Sequence, residues 1–566
     1  MKKINLINYK YFDYLLFLLG ITIGLSTYYY FPGYLRDDWG IIGGYLYGDY
    51  SILSKFTDLS TSLFANRPGL AFINSVIGYF IGDNPKIFFV FNYILYGFGI
   101  FFFKKFLEKI FNFQLNFFLP ILIFPVISST IIFSPVNLLG ANFSFLFYSI
   151  GSLILFTNIK KITILKIFLS TILFSVSLLT YEISGPLILY NIFLIFFFLK
   201  KEILLYEKKI IRLLIPIILS LLVYFIYQNF ICGYLDENNC AVSRFKLTSI
   251  ILKPEMIIKS FISYIIIVFV NFPIFILSSF SYLFLKFDSI STVQLLITVF
   301  LLYKLKYDLK FPDYKFKNKF NIFFYWSIII SSLIFILSGT EYPTIYGYEN
   351  RGAYPCTIIL GVLVFFCFIN FQYLRKFYSL FLFLIILNFI IQAQEIRENY
   401  SEQLNIINEV KKIEKQNLNQ KFMLILPMFN TEYNFSNHEI FRYDWDFPAA
   451  IKLRSDQKIK NKYYLINNLN LENIKILEDK IVLDGYIDID YNNLSLLEYK
   501  TNKKKLINIA DISSPSKFKN IKNNLFIDFD NVTNKSIEIE PNKLRKKVKN
   551  LIIETFKLSN SWNLRD

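Results

Sequence analysis

Long apolar runs constrain this chain more than any other feature of its sequence. Up to about residue 394 they are near 20 residues long, the length that an α-helix needs to cross ~30 Å of hydrocarbon. From Gln394 onward Lys, Asn, Asp and Glu become dense. Only 18% of the 566 residues are charged, below the roughly 25% typical of soluble domains. The sequence therefore predicts a multi-span helical membrane domain over 1–394 and a soluble domain over 395–566.

The formal net charge of +18 does not by itself indicate nucleic-acid binding. Much of the positive charge lies in short loops between apolar runs, where Lys and Arg mark the cytoplasmic side of a membrane protein. Two basic clusters of the tail, 503–505 and 543–549, have two interpretations, a solvated helix face or a patch for phosphate or lipid. We therefore expect no nucleic-acid partner.

Histidine and cysteine usage excludes several kinds of site. His438 is the only histidine, so neither a histidine-based metal site nor a Ser-His-Asp triad can form. Cys356 and Cys367 lie in a predicted membrane helix and are expected to be packing residues. Cys232 and Cys240 flank the polar loop ICGYLDENNC, and they can pair if that loop faces an oxidising compartment.

Basic loops predict how the chain threads the membrane. The apolar run 14–31 lacks the cleavage site of a signal peptide, so it predicts a retained first helix with a cytoplasmic N-terminus. The positive-inside rule also assigns five later basic loops to the cytoplasm: 104–105, 160–161, 200–212, 304–319 and 375–376. About eleven spans satisfy these assignments, near 14–31, 86–103, 115–133, 141–157, 163–180, 185–199, 211–230, 321–338, 355–372 and 377–393, with one more inside 256–305. On this topology the C-terminal domain lies outside the cytoplasm.

Two apolar segments do not fit as simple crossings. A span over 68–82 would put the basic loop at 104–105 outside, so this segment predicts a helix along the outer surface, started by Pro68 at a favourable first-turn position. Residues 256–305 hold apolar material for two crossings, but the loop charges permit one. Pro273 is the predicted break there.

Three polar segments meet the outer face on this topology. The first is the loop 32–85, which contains YLRDDWG and ANRPG. The second is YEISG at 181–185, and the third is GTEYPTIYGYENRGAYP at 339–355. Charged residues at the membrane boundary are costly to bury without a partner, so they are candidates for function.

The adjacent acids Asp37 and Asp38 are the first candidates for chemistry. A partly desolvated carboxylate at a membrane boundary has its pKa moved toward the range of a general base. Neighbouring helical residues point about 100° apart, so one acid faces a cavity while the other is held by a neighbour. The alternative interpretation is that both acids cap the following helix.

Two arginines and two glutamates complete the candidate set. Arg67 and Arg351 are candidates for binding a phosphate, because a guanidinium makes paired hydrogen bonds and keeps its charge. A salt bridge to Asp58 or to the acidic pair is the alternative for Arg67, and a salt bridge is likewise the alternative for Arg351. Glu182 and Glu349 are candidates for a second acid or for positioning an acceptor, and a structural bond to a neighbouring Tyr is the alternative for Glu182.

With these residues in place, the chain resembles a known class. A cytoplasmic N-terminus, one span and an outer loop opening with an acidic pair are similar to the GT-C class of membrane glycosyltransferases. The pattern DDWG…RPGLAFINSVIGYFIGDNPKIFFVFNYIL most resembles the bacterial bactoprenol-linked glucosyltransferases (Gtr type), and distantly the protein mannosyltransferase and aminoarabinose transferase families. Pro68, Gly82 and Pro85 match the order of those families. The resemblance is specific over about residues 10–105 and general to about 394.

The resemblance implies an activity. Members of the class transfer a sugar from a polyprenyl-phosphate carrier to a glycan, glycolipid or protein acceptor at the outer face of the bacterial cytoplasmic membrane, usually with inversion. By position, Asp37 would be the base and Asp38 its partner, while Arg67 and Arg351 would bind the donor phosphate. Some members use a divalent metal; this sequence offers no second carboxylate cluster, so we expect no cofactor.

Two other classes remain as alternatives. A polysaccharide polymerase or ligase of the outer face also uses many helices and arginines, but it typically lacks an acidic pair directly after its first helix. A transporter typically shows paired repeats and ionisable residues at mid-membrane depth, and neither is evident here.

The soluble domain carries weaker signals. Residues 395–417 have helical spacing, while 422–428, 463–466 and 480–490 indicate strands. An α/β or α+β module is predicted. The segment HEIFRYDWDFPAA at 438–450 either packs in that module or contacts a sugar.

Overall fold

This computed structural model describes residues 9–27, 42, 51–62, 64–81, 84–116, 118–124, 139–159, 161–198, 207–235, 254–280, 283, 287–305, 319–338, 353–416, 421–425, 441, 446–454, 463–466, 474–483, 487–492, 494–500, 505–512 and 514–522. Helices dominate this part of the chain. Their bounds are α1 Tyr9–Ser26, α2 Ile52–Ser60, α3 Pro68–Ile81, α4 Pro85–Phe111, α5 Leu119–Ile123, α6 Leu139–Phe156, α7 Ile164–Thr180, α8 Ser184–Phe198, α9 Glu207–Ile226, α10 Cys232–Leu235, α11 Pro254–Ile266, α12 Phe272–Ser278, α13 Ser289–Leu305, α14 Phe320–Ser338, α15 Tyr354–Asn370, α16 Gln372–Arg375, α17 Tyr378–Gln416 and α18 Asp446–Arg454. Two π-turns, Tyr227–Ile231 and Ile267–Asn271, join α9 to α10 and α11 to α12.

Several helices have the length and composition of membrane spans. Four stretches among the described residues qualify by both measures: Lys86–Phe111, Leu139–Phe156, Ile210–Leu235 and Tyr378–Ile413. Shorter apolar helices of 10–17 residues accompany them, among them Ile164–Thr180, Ser184–Phe198 and Tyr354–Asn370. The helical membrane class predicted from the apolar runs is therefore confirmed.

The helix predicted over 68–82 is present. It begins at Pro68, as predicted, and runs for 14 residues. At 1.5 Å per residue it is ~21 Å long, too short for ~30 Å of hydrocarbon. Its place along the outer surface remains a prediction.

The region 256–305 differs from the prediction. It holds two helical stretches, Pro254–Ser278 and Ser289–Leu305. The predicted break at Pro273 is wrong, because the chain stays helical through it. The π-turn Ile267–Asn271 lies directly before this proline. Proline lacks an N–H and its ring clashes with the carbonyl four residues earlier, and a π-turn widens the helix where this happens.

Several basic side chains bind groups near the ends of neighbouring helices. Lys104 of α4 forms a buried ion pair with Asp13 near the start of α1. Lys166 of α7 donates to the Thr157 carbonyl just after the end of α6 at 2.5 Å. Arg375 donates to the Ile369 carbonyl near the end of α15 at 2.6 Å. Lys104 and Lys105 lie inside α4, which continues to Phe111, so the loop predicted at 104–105 is wrong, and the threading of the chain remains a prediction.

The strands lie in the C-terminal part and form two sheets. Their bounds are β1 Lys421–Ile425, β2 Tyr463–Ile466, β3 Lys475–Ile476, β4 Lys480–Leu483, β5 Ile487–Asp490, β6 Leu494–Lys500 and β7 Lys505–Ile512. The first sheet has the order β2-β1-β6-β7, with β1 parallel to β2 and β6, and β6 antiparallel to β7. The second sheet is antiparallel, in the order β3-β4-β5. The strands predicted at 422–428, 463–466 and 480–490 are confirmed. β2 has the predicted bounds, the segment 480–490 contains the two strands β4 and β5, and 426–428 lie outside the described residues.

The first sheet is buried on both faces, because strand residues alternate in direction. Phe422 and Leu424 belong to an apolar cluster with Ile406 of α17 and Phe447 of α18. Met423 and Ile425 belong to a second cluster with residues of the second sheet, including Ile481. The order of layers is therefore helix, sheet, sheet.

The helix α17 connects the apolar bundle to this sheet. It is 39 residues long, ~58 Å at 1.5 Å per residue. The cluster that contains Ile406 also includes Ile73 of α3 and Leu139 of α6. The Tyr499 hydroxyl of β6 donates to the Glu402 carboxylate of α17. Burial, and then this carboxylate, raise the pKa of Tyr499 well above its ordinary value, so the phenol remains the donor.

Candidate functional site

The structure describes some of the predicted site residues. Arg67 and Glu182 are described, whereas Asp37, Asp38, Glu349 and Arg351 lie outside the described residues. Ile42, four positions after Asp38, is fully buried in the cluster that includes Ile73 of α3 and Leu139 of α6.

Arg67 and Glu182, which are 115 positions apart in sequence, form a bidentate ion pair. The Arg67 Nε donates to Glu182 Oε2 at 2.8 Å, and its Nη2 donates to Oε1. The side chains are only 14% and 9% exposed. The Arg67 guanidinium also lies over the Tyr181 ring, 4.3 Å from its centroid, which adds a cation–π contact. Asp58, the partner considered from the sequence, pairs with Lys55 at 3.6 Å.

A close helix contact brings the two partners together. Pro68 fixes the start of α3 directly after Arg67, because proline is pre-organised for the first helical turn. Gly69 then lies against Thr180, the last residue of α7: a Cβ on Gly69 would be 2.9 Å from both the Thr180 Cα and N atoms. Only glycine permits this approach. The turn that carries Glu182 follows Thr180 at once.

The first two turns of α6 link this ion pair to the third predicted segment. The Ser144 hydroxyl donates to the Tyr181 carbonyl at 3.0 Å. Two residues earlier, the Asn142 side chain accepts from the Tyr354 hydroxyl at 2.7 Å and donates to Asn92 at 2.7 Å. Tyr354 begins α15, three positions after Arg351. The described parts of the segments 65–69, 181–185 and 339–355 thus lie close together at the N-terminal end of α6.

A second buried polar network lies at the end of α1. Arg397 of α17 donates from Nε and Nη2 to Asp288 Oδ2 at 2.9 and 2.7 Å. The same guanidinium donates to Ser26, the last residue of α1, at 3.0 Å, and to Ser291 at 2.7 Å. The Gln294 amide also donates to Ser26 at 2.9 Å. These bonds fix the helix end that precedes the acidic pair in sequence, and no sequence signal singled out Arg397.

An apolar groove lies between α8 and α14. Its volume is about 500 Å³, and it is lined by Leu189, Ile192, Phe193, Phe196, Phe197, Ile322, Trp326, Ile330 and Leu333. This volume is within the roughly 300–1,000 Å³ of small-ligand sites. Leu189 is seven residues after Glu182, ~10 Å along the helix direction.

The cysteines follow the sequence-based predictions. Cys232 is disulfide-bonded, whereas Cys356 and Cys367 are free thiols packed in the bundle. Cys240, the other cysteine of the predicted pair, lies outside the described residues. A disulfide is typical of an oxidising compartment.

The described side chains also bear on whether the protein can hold a metal ion. None of these places three or more His, Cys, Asp or Glu residues together as a metal site would require. The expectation of a cofactor-free protein remains a prediction.

The chain was compared with models of protein families, with curated proteins and with solved structures. None of the three comparisons gives a match. Function is therefore argued from the site alone.

Proposed function

We propose that this protein is a membrane glycosyltransferase that moves a sugar from a polyprenyl-phosphate donor to a glycan, lipid or protein acceptor at the outer face of a bacterial cytoplasmic membrane. In this proposal about eleven helices cross the bilayer, as in the GT-C class, and the sheets of the C-terminal part lie outside the cytoplasm. The observation that supports it most is that three polar segments meet around the first two turns of α6, through Tyr181, Ser144, Asn142 and Tyr354.

The reaction requires one general base and a positively charged site that stabilises the leaving phosphate. The proposed base is Asp37, which takes the proton of the acceptor hydroxyl as its oxygen attacks the anomeric carbon. The bond from that carbon to the phosphate oxygen breaks, and polyprenyl phosphate leaves as an anion. Attack from the side opposite the phosphate inverts the anomeric centre. Asp38 is the proposed partner of the base.

The pairing of Arg67 with Glu182 refines the proposed roles of the charged residues. Two of the five N–H donors of Arg67 bind the Glu182 carboxylate, so the pair carries no net charge. Because this pair is neutral, Arg67 is proposed to contact the donor phosphate without adding net positive charge, and Arg351 is the proposed source of the cation that stabilises the leaving anion. Glu182 orients Arg67, and Glu349 remains a candidate for contacting the acceptor.

The groove between α8 and α14 suits the lipid part of the donor. Its lining is apolar throughout, and it begins ~10 Å along the helix direction from Glu182. A polyprenyl chain lying there keeps its phosphate near the helix ends that carry Arg67 and Glu182. The lipid never has to leave the bilayer.

Mass analysis of surface glycans tests the proposal. Cells with the unmodified chain are expected to add a hexose-sized mass to a surface glycolipid, glycan or protein. Asp37→Asn is expected to fold and add nothing. The matched control is Asp58→Asn, which changes an exposed acid in the same outer loop, 59% exposed beside Lys55, and is expected to retain the modification.

Two results would contradict parts of this proposal. Surface glycans that are identical with and without the unmodified chain would exclude the transferase, and solute uptake under those conditions would indicate a transporter. A modification that persists in Asp37→Asn would assign the base to another residue.

A further inference from the structure

The Arg67 loop is held by a helix far away in sequence. The Tyr227 hydroxyl donates to the Ala65 carbonyl at 2.7 Å, and the Gln228 side chain donates to the Asn66 carbonyl at 2.7 Å. Two consecutive donors therefore bind two consecutive carbonyls, directly before Arg67. Both donors lie 162 positions away from the loop.

The backbone hydrogen bonds within the turn do not use the Ala65 and Asn66 carbonyls. Its internal backbone bonds run from Phe64 to Leu59, from Ala65 to Ser62 and from Arg67 to Phe64. A buried carbonyl without a partner costs free energy, so the two side chains complete the hydrogen bonding of the loop. Their bonds fix the peptide groups from which the Arg67 backbone continues.

The backbone of the donor segment is unusual. Tyr227 and Gln228 open the π-turn Tyr227–Ile231, and single π-turns are frequent at functional sites. The turn ends at Cys232, which is fully buried against Ala65 and disulfide-bonded. The segment that binds the loop is thus itself anchored at its far end.

From these contacts we infer that Tyr227 and Gln228 are positioning residues for Arg67. They hold the loop so that the guanidinium fork meets the Glu182 carboxylate, while Pro68 and the Gly69–Thr180 contact fix the chain on the other side. The importance of this arrangement for sugar transfer rests on the proposed function. The arrangement itself does not, and it can be tested without substrate.

The test measures the pairing of Arg67 with Glu182 on the full chain in detergent. Unfolding midpoints of Arg67→Gln, Glu182→Gln and the double variant give the non-additive part of the Tm shift, which reports contact between the two side chains. The cycle is repeated in a Tyr227→Phe/Gln228→Met background, which removes both donors with little change in volume.

The matched control is a third cycle in an Asn229→Leu background. Asn229 is the next residue of the same π-turn, but it is exposed and donates to the Phe225 carbonyl of its own helix at 2.8 Å. We expect the non-additive part to fall by more than half in the Tyr227→Phe/Gln228→Met background and to stay unchanged in the control. If the double background does not fold, Gln228→Met alone is expected to give a smaller loss.

Equal non-additivity in all backgrounds would overturn the inference, and so would an equal loss in the control. Binding of undecaprenyl phosphate in nanodiscs separates this result from the proposed function. If the unmodified chain does not bind this lipid but the cycle gives the expected loss, the positioning role is supported and the transferase proposal fails. If the lipid binds equally well to the unmodified chain and to Tyr227→Phe/Gln228→Met, and the cycle shows no loss, the positioning role is wrong.

Discussion

Replacing Gly69 by alanine tests the helix contact on which the candidate site depends. A Cβ at this position would lie 2.5 Å from the Thr180 Oγ1 atom and 2.9 Å from the Thr180 Cα and N atoms. The hydroxyl is itself fixed by a hydrogen bond to the Val176 carbonyl at 2.7 Å. Because the backbone atoms cannot rotate away, restoring an ordinary contact of about 3.4 Å requires α3 to move by about 0.5 Å from α7.

The expected cost follows from two opposing effects. Alanine is favoured over glycine in a helix by about 0.5–1 kcal/mol, whereas forcing an extra methyl into a close contact costs about 1–3 kcal/mol. We therefore expect Gly69→Ala to lower the free energy of unfolding by about 1–2 kcal/mol. The same movement would lengthen the Arg67 Nε to Glu182 Oε2 distance from 2.8 Å toward about 3.3 Å, outside the range of a good hydrogen bond.

Gly185→Ala is the matched control. Gly185 is also the second residue of its helix, and the nearest atom to its added Cβ would be Leu178 Cδ2 at 3.9 Å, an ordinary contact. Denaturant titration of the full chain in detergent measures both variants, and Gly185→Ala is expected to be as stable as the unmodified chain or more stable. Equal stability of the two variants would refute the close contact between α3 and α7.

Two further predictions concern the other buried links. Reduction of the disulfide at Cys232 is expected to lower the free energy of unfolding by about 2.5 kcal/mol, from the entropy of the nine-residue loop that the predicted pair with Cys240 closes. Thermal unfolding with and without reductant measures this. Cys240→Ser should abolish the response to reductant, and an unchanged response in that variant would contradict the assignment. Arg397→Met is expected to cost about 1.5–3 kcal/mol, because it removes the charged hydrogen bonds from Arg397 to Asp288, Ser26 and Ser291. Arg397→Met/Asp288→Asn, which keeps a side-chain oxygen that can accept from the Ser291 N–H, should recover part of this loss in denaturant titrations, and equal instability of the single and double variants would exclude the charge of Asp288 as its cause.

Local signals in the sequence predicted local structure well. Pro68 predicted the first residue of α3, and the tetrapeptide YYLI predicted β2 with its bounds. The apolar runs predicted most of the bundle helices, because a 20-residue run leaves a helix as the natural solution in hydrocarbon. The packing interpretation of HEIFRYDWDFPAA agrees with Phe441 and Phe447, which are fully buried.

The sequence did not predict which side chains far apart in the chain contact each other. Arg67 was considered with Asp58 or the acidic pair, and Glu182 with a neighbouring Tyr, but they bind each other because Gly69 lets α3 reach the end of α7. Nothing in a periodic pattern encodes such a contact. The composition of the π-turn before Pro273 does not distinguish it from an ordinary helix. The sequence therefore did not show that the chain would stay helical through this proline, and the predicted break was wrong.

The continuity of α17 has a mechanical consequence. Its 39 residues contain neither proline nor glycine, and sharp kinks in helices almost always need one of these, a π-turn or an inserted group. The helix is therefore a stiff rod whose two ends move together. The first sheet is bonded to this helix through Tyr499 and Glu402. A tilt of the sheet would therefore also move Tyr378, at the opposite end of α17.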